Sequence, residues 1–333
     1  MPLSDAIDTY LAHLRAKGMA TNTVKNQRQI LHRALSCWGN LQVQNIQPRH
    51  VDRLFAENTW SASTRNLYLG YLRSFFAWSR NQGVMGRDFD PSHGWRSQKV
   101  IRRDKMRLPM EEFYPLLDAC EHPRDRAVVA LGLFTFQRGS ELQLLRVSDL
   151  DLRSDTLHIF RPKTREEDIL PVSTELAGEM ERWLDWYRRD QGILQPSWFL
   201  LPSKKPDEWH NVNGVLQRTG RLSGLRPTQR MSHPYRAAQR ALKALGYPTL
   251  GEGEHTLRRS GARALADTLR DQGYDGALLR VASMLGHKDV KVTQLYIGWE
   301  LERDQRNASI AGKPLFPALQ RRPEGRVIPM GGS

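Results

Sequence analysis

The hydrophobic pattern of this chain changes its period once, and that change limits the fold more than any single residue does. Up to about residue 82, apolar side chains recur at helical spacing. Ser4 is placed to cap a first helix with Ile7, Leu11 and Leu14 on one stripe, ended by Gly18. Thr21 is placed to cap a second, with Val24, Leu31 and Leu35 inside. Pro48 opens a short third helix carrying Val51 and Leu54. A fourth runs from about Ser63 to Gln82, with Leu67, Tyr71, Phe75 and Trp78 as its apolar stripe.

Beyond Pro109 the pattern is mixed. Helices are readable over 110–120, 124–137 and 141–146. Leu150-Asp151-Leu152, Leu157-His158-Ile159-Phe160 and Ile169-Leu170 then alternate as strands of a small antiparallel sheet. Helices resume over about 174–189, after Pro234, over 256–272 and 275–285, and around Tyr296. Residues 203–233, polar and rich in Gly, Pro and Ser, read as a long loop. The expected fold class is mainly α with a small antiparallel β-sheet: a helical N-terminal domain followed by a mixed α/β domain.

The junction is marked by composition. Gly86, Pro91 and Gly94 close the first unit, and Arg96, Lys99, Arg102, Arg103, Lys105 and Arg107 follow with Asp104 alone against them. The expected organisation is a helical domain over 1–94, a basic linker over 95–107, a second domain over 108–310 and a tail over 311–333. A chain of 333 residues suits two domains of ordinary size.

The net charge is +14, and residues 1–107 hold seventeen Lys/Arg against seven Asp/Glu. Most of the excess therefore lies in the first third. A polyanion is the natural partner, because each phosphate neutralised releases condensed counterions. Lys25 and Arg28 on the second helix, Arg65, Arg73 and Arg80 on the fourth, and Arg96, Lys99, Arg102 and Arg103 in the linker are the expected phosphate-facing cations. A merely solvated basic surface is the plain alternative. The aromatic stripe of the fourth helix reads as core rather than as a platform for bases.

Several chemistries are excluded. No apolar run is long enough to span a bilayer, and no apolar leader opens the chain, so neither a membrane nor export is expected. The two cysteines, Cys37 and Cys120, make no disulfide framework and read as buried free thiols, which points to the cytoplasm. There is no phosphate-binding glycine loop and no zinc-ligand spacing, so no cofactor and no metal are expected.

What remains is a series of cations that ends in a tyrosine. Phe136-Gln137-Arg138-Gly139-Ser140-Glu141-Leu142 puts an arginine at a helix end. Lys163 lies between two strands, in Arg161-Pro162-Lys163-Thr164-Arg165. His255-Thr256-Leu257-Arg258 places a histidine and an arginine three apart on one helix face. Leu285-Gly286-His287 follows, and Tyr296 lies nine residues later. Attack on a phosphodiester builds negative charge on the non-bridging oxygens. Arginines give such a phosphate paired hydrogen bonds while staying charged, and histidines add donors. Tyrosine, with an unperturbed pKa of ~10, needs a cationic pocket or a base to act as a nucleophile.

In their order these strings resemble the tyrosine recombinase family, the phage integrases and their relatives, over the C-terminal two thirds of the chain. The resemblance implies a catalytic set of Arg138, Lys163, His255, Arg258, His287 and the nucleophile Tyr296. It implies Lys163 as the acid that protonates the leaving 5′ oxygen, and Glu141 as a residue that orients the His/Arg cluster. Arg259 is the nearest substitute for Arg258. The chemistry implied is cleavage and rejoining of double-stranded DNA at core recombination sites through a 3′-phosphotyrosine, without ATP or metal.

The resemblance further implies that the helical domain is a core-type DNA-binding domain and that the two domains form a C-shaped clamp. It implies a homotetramer on DNA, with the tail, around Leu315-Phe316-Pro317 and Leu319, docking on a neighbouring protomer. A host DNA-bending factor and a directionality factor are open as further partners. The core-binding-like helices begin at about Ser4, which leaves no room for a preceding arm-site domain. Phage integration and excision is the first expectation; resolution of chromosome dimers or of a transposon is the alternative. A type IB topoisomerase and a catalytically inactive DNA-binding regulator are the readings of another class.

Overall fold

The computed structural model describes residues 1–100, 105–204, 209–212, 215–218 and 224–298. The chain divides into two compact units, Met1–Arg103 and Asp104–Ser333.

The first unit is four helices: α1 (Leu3–Ala16), α2 (Thr21–Trp38), α3 (Pro48–Ala56) and α4 (Ala62–Asn81). Their stripes meet in one core, in which Leu3, Ile7, Ile30, Leu31, Leu54, Phe75 and Phe76 are fully buried. Tyr10 stands edge-on to Phe75 and donates its hydroxyl to the buried Gln27, 2.7 Å away. The polar end of a core aromatic is thereby satisfied.

Three local expectations fail here. Neither Ser4 nor Thr21 is a cap, since α1 is preceded by Pro2 and α2 by Ala20. The Ser4 N–H instead donates to Asn40 Oδ1 at 3.0 Å, a tertiary partner that replaces a local one. The fourth helix is capped by Ser61, whose hydroxyl accepts from the Thr64 N–H. Leu67 is exposed, and Leu69 and Leu72 take the inner positions, because the buried stripe is rotated by about half a turn at this end of the helix.

The second unit is built around α6 (Pro123–Thr135), which is buried on nearly every side. α5 (Phe113–Asp118), α8 (Thr174–Gln191), α9 (Tyr235–Ala244) and α10 (Glu254–Asp271) pack against or beside it. The approach of α10 is close. A Cβ on Gly261 would stand 1.8 Å from the Leu133 carbonyl oxygen, so only glycine fits there. α7 (Gly139–Leu142), α11 (Ala277–Leu285) and α12 (Val290–Ile297) complete the helices.

The sheet of β1 (Leu150–Asp151), β2 (Thr156–Arg161) and β3 (Glu166–Pro171) is antiparallel in the order β1-β2-β3, with Leu157 opposite Leu170 and Arg161 opposite Glu166. The stretch 203–233, expected as a loop, contains strands: β4 (Pro202–Lys204) pairs with β7 (Leu225–Arg230), and β5 (Trp209–Val212) with β6 (Val215–Arg218). Its polar composition hid them, since the stretch lacks the regular apolar/polar alternation that marks a half-buried strand. Cys37 and Cys120 are free and only partly buried. No helix among the described residues is long and apolar enough to cross a membrane.

Candidate active site

Four segments of the second unit supply the site. The first follows α6. Phe136 ends that helix in the left-handed region (φ 58°), which costs a non-glycine residue about 1–2 kcal/mol. Its ring lies in a small apolar cluster with Ala262, Leu285 and Ile297 that offsets the cost. The turn delivers Arg138 to the start of α7, where Glu141 accepts from both the Arg138 N–H and its guanidinium, each at 2.7 Å. Gly139 lies against Glu254: a Cβ there would stand 2.0 Å from its carboxylate oxygen and would push that side chain aside.

The second element is the first turn of α10. Arg258 is 1% exposed and donates to the carbonyls of Phe136 and Leu285, the latter at 2.7 Å. Its guanidinium lies 3.7 Å from Glu141 Oε2, so this buried carboxylate serves both arginines. Burial lowers the Arg258 pKa to about 10, which still leaves it charged at neutral pH. Arg259 points elsewhere, to Glu252 and to the Met106 carbonyl, so Arg258 is the arginine of this cluster.

The third is the end of α11. Gly286 is left-handed (φ 64°), and a Cβ on it would meet the Arg161 guanidinium at 2.7 Å. His287 follows, with Nδ1 3.0 Å from the buried Thr293 hydroxyl. If that hydroxyl donates, the ring proton is on Nε2, free to reach a ligand. Burial, then Arg258 and Arg138, pull the His287 pKa down to about 4.

The fourth is α12, which carries Tyr296. Its hydroxyl is 3.5 Å from His255 Nδ1 and 3.5 Å from the His255 carbonyl. The Arg258 guanidinium stands 5.8 Å from the Tyr296 ring centroid, and the His287 ring meets it edge-on at 5.5 Å. Burial raises the phenol pKa, and Arg258 works against that rise. His255 has its pKa lowered, by burial first and then by Arg258 and Arg259, which favours the neutral imidazole.

The fold thus gathers Arg138, Glu141, His255, Arg258, His287 and Tyr296, which lie up to 158 positions apart in the sequence. Lys163 is not joined to them: it stands exposed in the β2–β3 turn and makes no hydrogen bond or ion pair among the described residues.

The sequence reading missed Arg161, which is 4% exposed and bonded to Gln137, Asp168 and the Met284 carbonyl. Its signal was present: on a strand, period two puts Arg161 on the face of Leu157 and Ile159.

In the first unit, Lys25 and Arg28 are exposed, as are Arg96 and Lys99. Arg65, Arg73 and Arg80 are engaged by their own domain. Arg65 lies over the Trp95 and Phe55 rings, Arg73 donates to the Trp95 carbonyl, and Arg80 pairs with Asp90 at 3.3 Å. Arg102, Arg103 and the tail residues around Leu315 lie outside the described residues.

The arrangement gathers two guanidiniums and two imidazoles around a phenol, and similarity to known proteins gives the chain a family. Residues 106–302 match the phage integrase family, and residues 7–83 match the phage integrase N-terminal SAM-like domain. The chain belongs to the phage integrase family of tyrosine recombinases. It is 27% identical over 310 residues to tyrosine recombinase XerC of Pseudomonas fluorescens Pf-5, covering 88% of this chain and 91% of that one. A second relative, tyrosine recombinase XerC of Pseudomonas syringae pv. syringae, is 27% identical over 306 residues, covering 87% and 90%. The fold resembles a lambda integrase(75–356) dimer bound to a COC′ core site, with a TM-score of 0.62 at 19% identity over 88% of this chain and 97% of that one. It also resembles the XerH site-specific recombinase bound to a palindromic difH substrate, with a TM-score of 0.62 at 17% identity over 89% and 81%.

Proposed function

We propose that this enzyme cuts and rejoins double-stranded DNA at a core recombination site, with Tyr296 as the nucleophile. The observation that carries the reading is the Tyr296 hydroxyl set against His255 Nδ1, under the guanidinium of Arg258 and beside His287.

Tyr296 Oη attacks the scissile phosphorus while its proton passes to His255. Arg138, Arg258 and His287 take the charge that develops on the non-bridging oxygens, where preorganised donors lower the barrier most. The bond to the 5′ oxygen breaks, and Lys163 supplies the proton to that oxygen. The turn that holds Lys163 lies at the surface, so the lysine reaches the leaving oxygen only when DNA is bound. The product is a 3′-phosphotyrosine and a 5′ hydroxyl, and attack by a partner's 5′ hydroxyl reverses every step without ATP. Lys25, Arg28, Arg96 and Lys99 hold the backbone of the duplex, and four copies assemble on two sites in the bacterial cytoplasm.

The likeness to tyrosine recombinase XerC over about nine tenths of both chains favours resolution of joined replicons over viral integration. A suicide duplex, nicked so that the cleaved end diffuses away, tests the chemistry: wild type leaves a covalent adduct on a denaturing gel, and Tyr296→Phe leaves none while still shifting DNA. An adduct in the phenylalanine variant would sink the nucleophile assignment. Sequencing host DNA captured in such adducts separates the two biologies. One chromosomal locus supports resolution, and the junctions of a mobile element support integration.

A further inference from the structure

The β2–β3 hairpin carries Lys163 at its turn, and nothing from Pro162 to Glu167 is buried. Such a ribbon swings freely unless something fixes its base. β2 alternates outward and inward, and its inward residues are Leu157, Ile159 and Arg161, exposed by 0%, 2% and 4%. The last inward position before the turn therefore holds a cation where the first two hold core aliphatics.

A buried guanidinium needs acceptors, and those it finds are informative. Nη1 donates to Gln137 Oε1 at 3.1 Å, and Gln137 is the residue before Arg138. Nη2 donates to the Met284 carbonyl at 3.2 Å, two residues before Gly286. Nη2 also meets Asp168 on the opposite strand of the hairpin at 2.7 Å. Gln137 closes the figure by donating to the same Met284 carbonyl at 3.1 Å. The backbone of Arg161 shapes the turn itself: its carbonyl accepts from the N–H groups of Thr164 and Arg165, at 3.2 and 2.8 Å. Among the described residues, the ion pair between the hairpin and the His287 turn is Lys288–Glu166 at 3.8 Å, between two exposed side chains, which contributes little.

We infer that Arg161 is a positioning residue that fastens the base of the Lys163 hairpin to the turns carrying Arg138 and His287, so that the lysine meets the leaving oxygen when DNA binds. This rests on the proposed role of Lys163 as the acid.

A leaving group that needs no proton provides the test. A thiol ionises with a pKa of about 8.5, far more readily than an alcohol, so a duplex with sulfur at the bridging 5′ position cleaves without an acid. Single-turnover cleavage of the ordinary and the sulfur-bridged duplex is compared for wild type, Lys163→Ala, Arg161→Met and Asp168→Asn, with melting curves of each protein. Arg161→Met should slow cleavage of the ordinary duplex at least tenfold and come within about threefold of wild type on the sulfur-bridged one. Asp168→Asn, which weakens the half-exposed carboxylate that holds the Arg161 guanidinium in place across the hairpin and leaves the core intact, should show a smaller defect with the same relief, and it decides the matter if Arg161→Met does not fold. Relief of the Lys163→Ala defect by sulfur without relief of the other two overturns the role of Arg161 alone. A Lys163→Ala defect that sulfur does not relieve sinks the acid assignment, and the inference with it.

Discussion

At the scale of single residues, the site is governed by how few acidic groups balance its guanidiniums. Glu141 is 2% exposed and faces both Arg138 and Arg258. Glu141→Ala would leave Arg258 buried without a carboxylate. The expected loss is about 3 kcal/mol, at the low end for breaking a buried pair because Arg258 keeps two carbonyls. A lowered urea midpoint at unchanged slope would register it. Two histidines, His287 and His122, have pKa values held near 4, in both cases chiefly by burial. The sign follows: below about pH 6.5 the unfolded chain takes up protons that the folded protein refuses. This part of the stability is complete above pH 6.5 and is lost as the pH falls toward 4. The melting temperature should fall over that window, and less steeply in His287→Gln. Parallel curves for the two proteins would show that His287 does not carry the effect.

At the scale of elements, the site depends on the distance between α6 and α10, because Arg258 on one reaches the carbonyl of Phe136 at the end of the other. Gly261 sets that distance against the Leu133 carbonyl, a backbone atom that cannot step aside. Gly261→Ala should therefore cost about 1–3 kcal/mol as overpacking. Because the shift moves Arg258 against Arg138, cleavage should also fall by more than the loss of folded protein explains. Rates normalised to active-site titre, alongside circular-dichroism melts, separate the two effects. α10 was legible in the sequence from its periodic apolar residues, and α6, buried on nearly every side, from the length of its apolar run. The strands within 203–233 were not, because a polar ribbon carries neither signal. The caps assigned to Ser4 and Thr21 failed for a related reason: capping propensity is local, and a tertiary partner such as Asn40 overrides it.

At the scale of the molecule, the net charge of +14 favours a polyanionic partner, and the number of cations that meet phosphates sets how binding responds to salt. DNA affinity should fall linearly on a double-logarithmic plot, with about 0.9 of slope for each phosphate neutralised. The exposed Lys25 and Arg28 are the candidates in the helical unit. Replacing both with alanine should reduce the slope by about 2, whereas Arg80→Ala, already paired with Asp90, should leave the slope unchanged and lower stability instead. A double variant with the wild-type slope would show that these two side chains do not meet the backbone.

By itself the sequence determined the helical first unit, the change to mixed α/β structure and the identity and order of the cations that end at Tyr296. Those depend on hydrophobic period and on short strings, both readable within a few turns of chain. The tertiary structure alone decided which arginine of the Arg258–Arg259 pair enters the cluster, that Arg65, Arg73 and Arg80 are held by their own domain, and that Arg161 is buried beneath the Lys163 hairpin. The reason is the separation of the partners. Arg258 finds Phe136 122 positions away and Arg161 finds Met284 123 positions away, so the acceptor that fixes each guanidinium is set by packing between distant segments and leaves no local mark.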